Sequence, residues 1–484
     1  MTFFPESFDL SLLVPMKTNC SNRNKFPTFT NIRKTFSLLV CLFSFNACLL
    51  NPIVHSLLFP EKDPSRNSLF VLWALLSNSN SVVELNRTWA GIYKGESLQL
   101  EAQYYSYGAK TDSTFQWTSN NDAVATVSPT GLVQSIGNGK VIITVASADG
   151  RASATSAITV YSGYVYTSLD FNNSVALLTM DNSTGLLTFN ASALVGTSQP
   201  TGIGVDPAGK FLYTGDFGGA TISQFLINQT TGALTSNTPV FVAAGANPRN
   251  LVTTPDSRFL YLASEGTSAI RAFAINPNGT LTFLNSYPTM VRGEIQISRN
   301  GNFIFYMNPS VTEITSYRIN YSDGSLSQVG VSPTFPNNGP GHVSTHPNGK
   351  YLYVGTFPAV TVLSFDSNFG QMGFVDSVFY GMSINSTAIH PSGRFLYLVH
   401  INEGVVSCYT VDPNTGKISY SSNVSGYSGN SLRFMVIDPS GRFAYVAANT
   451  GNNLFQFSIN QITGELTPMG TANAGGPQWN LTFL

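Results

Sequence analysis

The sequence predicts an all-β protein, a seven-bladed β-propeller preceded by a small β-sandwich. Three observations carry that expectation. Only 10% of the 484 residues are charged, while Gly (42), Phe (34) and Tyr (21) abound, a balance that suits many strands joined by tight turns. One phrase recurs through the C-terminal two thirds at the period of a four-stranded blade. Ahead of it, short alternating runs separated by turn signals have the spacing of a sandwich. The 24 basic and 25 acidic residues leave a net charge of -1, which argues against nucleic acid as a partner. A hydrophobic fraction of 43% argues against disorder.

The chain divides into four segments. Residues 1–48 read as an export leader: Lys17, Arg23, Lys25, Arg33 and Lys34 precede the apolar run Phe36–Leu50. That run is shorter than the ~20 residues of a spanning helix. Its end, Phe45-Asn46-Ala47-Cys48, resembles a relaxed lipoprotein box, with Cys48 as the lipidated residue and an ordinary signal peptide as the alternative. Either Met1 or Met16 is the start. The expectation is an exported lipoprotein of a bacterial outer membrane or cell surface, the periplasm being the alternative, with the membrane met only through the lipid. Residues 49–83 read as a tether, rich in proline and ending in Ser77-Asn78-Ser79-Asn80-Ser81. Beyond the leader only Cys408 remains, so no internal disulfide is expected, and its alternating run makes it a buried strand residue.

Residues 84–160 form the sandwich. The stretch Trp117–Val127 followed by Gly131-Leu132-Val133 and Gly139 resembles the bacterial Ig-like domain, group 2. That resemblance implies Trp117 and Val127 in the core, Gly131 in a turn, and a module common on bacterial surfaces, acting as a spacer or as a contact to a surface protein or glycan.

Residues 161–484 hold the repeat. Asp206-Pro207-Ala208-Gly209-Lys210-Phe211-Leu212-Tyr213 returns at 255–261, 298–306, 346–353, 390–397 and 438–445, with a degenerate copy at 163–166. Taking tyrosines 166, 213, 261, 306, 353, 397 and 445 as equivalent, the period is 44 to 48 residues. The first period lacks its leading strand, and Pro477–Leu484 is a leading strand with no blade after it. The C-terminal strand is therefore expected to complete the first blade from the inside and close the ring. The phrase, with the "TGALT" turn after it, resembles the lactonase family of seven-bladed propellers, which includes 6-phosphogluconolactonases, and the wider YVTN-type surface propellers.

The resemblance implies an Arg-His pair before the inner strand and a glutamate after the aromatic strand. Arg249, Gly341 (followed by His342) and Arg433 each stand six residues before a turn proline, and Glu265 follows Tyr261 by four. For lactone hydrolysis, Glu265 or His342 would be the base and Arg249 or Arg433 the cation facing the oxyanion. Arg292, Glu294 and His400 are candidate ligand contacts on the same face. His346 and His390 replace the aspartate of the Pro-Gly turn and belong to the opposite face. No phosphate loop, Ser-His-Asp order or metal-ligand spacing appears, so no cofactor or metal is expected. The sequence favours a module binding a small polar or anionic ligand or a surface partner; the alternative is a lactonase acting on a sugar lactone.

Overall fold

The computed structural model describes residues 81–289, 293–308, 312–335 and 341–484. The leader, most of the tether, Cys48 and Arg292 lie outside the described residues.

The sandwich opens the described chain. Trp89–Tyr93, Ser153–Tyr161, Gly139–Ser147 and Phe115–Ser119 make a four-stranded sheet, accompanied by two three-stranded sheets. Alternation sends Val141, Ile143 and Val145 inward; the first two meet Val133, Ala125 and Ile158, and Val145 meets Val83 and Tyr104. Trp117 and Val127 pack against this core, as the resemblance implied. Gly131 takes φ +84, and a Cβ there would fall 2.5 Å from the Leu100 carbonyl oxygen, so the turn requires glycine.

Seven four-stranded sheets follow. In six, the strands run outward in chain order; blade 2 is Pro200–Val205, Phe211–Asp216, Thr221–Ile227 and Leu234–Ala243. Blade 1 takes its innermost strand from the C-terminus: Leu481–Phe483 pairs antiparallel with Tyr164–Leu169. The Leu484 amide donates to the Tyr164 carbonyl, and Tyr164 and Ser162 amides donate to Leu484. Closure thus occurs as expected.

The repeated phrase ties each blade to the next. The aromatic-strand tyrosine is buried, and its hydroxyl donates to the carbonyl of the next blade's turn glycine. The pairs are Tyr166 to Gly232 (2.7 Å), Tyr213 to Gly279 (2.9 Å), Tyr261 to Gly324 (2.9 Å), Tyr353 to Gly416 (3.2 Å) and Tyr397 to Gly464 (2.7 Å). Tyr445 to Gly185 (2.6 Å) closes the ring. Each of these glycines has positive φ and lies against the aromatic residue that begins the preceding blade's strand: a Cβ on Gly279 would fall 2.2 Å from the Phe211 ring.

Blade 4 corrects the sequence reading. Counted along the pairing, the equivalent residue is Phe305 rather than Tyr306: Gln296 opposes Phe305 as Val436 opposes Tyr445. Phe305 has no hydroxyl, and Ser316 Oγ supplies the missing donor to the Gly370 carbonyl at 2.6 Å.

The Pro-Gly turns lie at the far end of the inner strands. Asp206 Oδ1 accepts from the amides of Lys210 and Phe211, both at 2.6 Å. His346 and His390 hold the same place: Nδ1 accepts a turn amide (Asn348, Ser392), while Nε2 reaches the next blade's turn carbonyl (Gly393 at 3.0 Å, Gly441 at 2.9 Å). Both are turn residues, as expected. The sandwich packs on this face: Trp89 meets His390 edge-on at 5.8 Å, and Gly91 lies on the Pro439–Ser440 backbone.

Candidate functional site

The opposite ends of the inner strands surround the channel mouth, and a local irregularity shapes it. In four blades the ladder between the first and second strands skips at the start of the inner strand. Pro200 pairs with Asp216 but Gly202 with Gly215, leaving Thr201 out. Arg249, Asn385 and the pair Arg433-Phe434 are left out in the same way. A bulge of this kind re-aims a side chain. All of these residues line one cavity of about 230 Å³, closed further by Gly293, Glu294, Gly341, Trp479 and Asn480. Each of the seven blades contributes.

The two arginines are pinned alike. Thr201 Oγ1 of blade 2 donates to the carbonyl of Pro248 at 3.1 Å and lies 3.3 Å from that of Arg249, and Asn385 Nδ2 of blade 6 donates to the carbonyl of Arg433 at 2.7 Å. Arg249 Nε donates to Glu265 Oε2 at 2.6 Å, the two side chains being 17% and 23% exposed, shielded yet reachable. Its guanidinium lies 4.8 Å from the Phe217 ring and 5.7 Å from the Trp479 ring. Phe217 is held by its neighbour Asp216, whose buried carboxylate accepts hydroxyls of Thr214 (2.7 Å), Ser223 (2.5 Å), Thr221 (3.1 Å) and Thr197 (3.2 Å). Arg433 stacks on Trp479 at 4.4 Å. Burial pushes its guanidinium below the usual range; the charge of Asp170 opposes that push and the charge of Arg249 adds to it. The indole thus faces both cations, a favourable place for a π cloud.

The other candidates separate. Glu294 lines the cavity. His342 stands behind it: its ring meets Phe434 edge-on at 4.9 Å, Nδ1 accepts from the Thr387 amide at 3.2 Å, and burial pushes its pKa down to about 4. With Nδ1 so engaged, the ring packs behind the cavity and is not among the residues that line it. His400 is fully buried, stacked on Tyr380 at 4.6 Å and bonded through Nε2 to Ser407 Oγ at 3.0 Å. Burial lowers it to about 4 as well. It does not reach the cavity, so its reading as a ligand contact is corrected. Cys408 is buried, as expected. Among the described residues no cluster has the makings of a metal site.

Trp479, Thr201 and Asn385 were missed in the sequence, although a signal for two of them was present. Counting six residues back from the turn prolines Pro207 and Pro391 reaches Thr201 and Asn385, just as it reaches Arg249 and Arg433.

Fold and mouth together define a closed propeller with an arginine-carboxylate site on one face and an Ig-like module on the other. The family described as lactonase, 7-bladed beta-propeller matches residues 123–241, 202–381 and 332–481, and the bacterial Ig-like domain (group 2) matches residues 82–158. The chain belongs to that lactonase family. A 6-phosphogluconolactonase of Bacillus subtilis (strain 168) is 23% identical over 307 residues, covering 62% of this chain and 77% of the relative. Another from Cronobacter sakazakii is 28% identical over 182 residues, covering 37% of this chain and 54% of its own. Among solved structures, the Pseudomonas aeruginosa periplasmic gluconolactonase superposes with a TM-score of 0.55 at 17% identity, over 66% of this chain and 98% of that one. A Lactobacillus plantarum protein gives 0.58 at 16% identity, over 66% and 99%. At such identities the structural likeness speaks for the fold alone.

Proposed function

We propose that the propeller hydrolyses a sugar lactone at the mouth lined by Arg249 and Arg433. The observation that carries this reading is that Arg249 and Arg433 line one small cavity, with the Glu265 carboxylate ion-paired to Arg249. The names of the two sequence relatives, both 6-phosphogluconolactonases, point to the same substrate class. In this reading a guanidinium holds the lactone carbonyl oxygen and stabilises the negative charge that grows there as water attacks. The Glu265 carboxylate takes the proton from that water. Collapse of the tetrahedral intermediate breaks the ring C–O bond, and the ring oxygen leaves as a hydroxyl after taking back the proton that Glu265 accepted from water. The product is an open-chain hydroxy acid.

The 6-phosphogluconolactonase relatives favour the lactonase alternative over a module that only binds. Turnover across a panel containing D-glucono-1,5-lactone and its 6-phosphate is the test: accelerated hydrolysis of either, lost in Glu265→Gln, supports the reading, and no acceleration of any member overturns it. We propose further that the chain is exported and lipidated at Cys48, on the strength of its basic-apolar-cysteine order. Fatty-acid labelling that Cys48→Ser fails to abolish would overturn that.

A further inference from the structure

Beside the lactone cavity, three buried polar atoms lie together without hydrogen-bond partners: Asp170 Oδ1, Asn449 Nδ2 and Arg433 Nε. Asp170 is 7% exposed and follows Tyr166 by four residues, as Glu265 follows Tyr261. Backbone bonds bring the three segments together near Trp479, and the Asp170 carboxyl lies within reach of Asn449 and of the Arg433 charge. The Trp479 amide donates to the Ser168 carbonyl at 3.0 Å, two residues before Asp170, and the Asn449 amide donates to the Ser431 carbonyl at 3.1 Å, two residues before Arg433. Arg433 itself stacks on the indole. Each arginine stacked near Trp479 therefore has a carboxylate beside it, Glu265 next to Arg249 and Asp170 near Arg433. They differ in one respect: the first is a direct ion pair, while the second leaves a guanidinium N–H, an amide N–H and a carboxylate oxygen unpaired.

Two donors and one acceptor around a point are the complement of a hydroxyl, which donates once and accepts twice. Buried polar atoms left unpaired are costly, so such a set is best explained by a group that satisfies it. Desolvation raises the Asp170 carboxyl above its ordinary value, while the Phe171 amide, the neighbouring Asn449 amide and the charge of Arg433 restrain that rise.

We propose that Asp170, Asn449 and Arg433 form a hydroxyl-binding subsite, occupied either by a hydroxyl of the sugar substrate or by the attacking water. The proposal rests on the lactonase reading for its role in turnover but not for its occupancy.

The test joins a high-resolution crystal structure of the full chain soaked with sodium D-gluconate to kinetics of Asp170→Asn and Asn449→Ala. The substrates are D-glucono-1,5-lactone and δ-valerolactone, which has no hydroxyl. If the subsite takes a substrate hydroxyl, a gluconate oxygen lies within hydrogen-bond distance of Asp170, and both variants lose about 10- to 100-fold in kcat/KM on gluconolactone alone. If it takes the attacking water, an ordered water fills the place and kcat falls on both lactones. Asp170 and Asn449 bonded to each other with nothing between, or variants matching wild type on both substrates, would overturn the proposal. A filled subsite in a protein that hydrolyses neither lactone would sink the lactonase reading and leave the subsite standing.

Discussion

Tyr445→Phe removes one oxygen from the joint where the last blade meets the first. The hydroxyl donates to the Gly185 carbonyl at 2.6 Å from a fully buried ring. The ring keeps its stacking on Phe483 at 6.2 Å, so the substitution isolates the hydrogen bond. Losing a buried bond and leaving its carbonyl without that donor costs about 1–3 kcal/mol. Blade 4 supplies the control, because Phe305 already stands there and Ser316 serves the Gly370 carbonyl instead. Ser316→Ala should therefore cost about as much as Tyr445→Phe, although the two residues are unrelated in sequence position. Equilibrium unfolding in urea, followed by tryptophan fluorescence and circular dichroism, reads both. If both variants unfold at the wild-type midpoint, the latches do not hold the ring and the reasoning fails.

Removing Pro477–Leu484 strips blade 1 of its inner strand and exposes the partners of Leu481 and Leu484, which are 2% and 8% exposed. Each leucine contributes about 1.5–3 kcal/mol, so the melting temperature should drop well below wild type; an unchanged value contradicts closure. His342 and His400, pushed down to about 4 by burial, favour the fold as neutral rings. Their contribution is complete above the unfolded value of ~6.5 and is lost as pH falls toward 4, at most about 3 kcal/mol each. The buried carboxyls of Asp206, Asp216 and Asp438, raised by desolvation, act in the opposite sense, so the informative quantity is a difference between variants. Stability of His400→Gln should decline less than wild type between pH 7 and pH 4.5, and parallel declines would refute the assignment.

Ring architecture was legible because every blade repeats the same pairings, so that a missing first strand and a surplus last one are visible in the letters. The misplaced tyrosine of blade 4 shows the limit. Phe303-Ile304-Phe305-Tyr306 puts a tyrosine one residue late, and only the partner strand, with Ser316, reveals the register. At the mouth, Arg249 and Arg433 were found by their distance from the turn proline. Thr201 and Asn385 share that distance but lack charge, so nothing in their chemistry marks them as site residues. Trp479 lies in the closing segment outside any repeat, and no period marks it. His342 and His400 stand on the right strands, yet whether a strand-end ring points to the cavity or into the blade depends on neighbours such as Phe434 and Tyr380, distant in sequence. Asp170 sits at the place of Glu265, but the degenerate first repeat hid the match.

The central claim, that lactone chemistry occurs at the mouth, is tested most directly by the initial rate of D-glucono-1,5-lactone hydrolysis in a pH-stat. The comparison is wild type against the double variant Arg249→Ala with Arg433→Ala, and against Asp206→Ala on the opposite face. The account predicts hydrolysis above the enzyme-free rate in wild type and in Asp206→Ala as far as it stays folded. It predicts a loss of about 100-fold or more in the double variant, with a melting temperature close to wild type. A double variant as fast as wild type would contradict it.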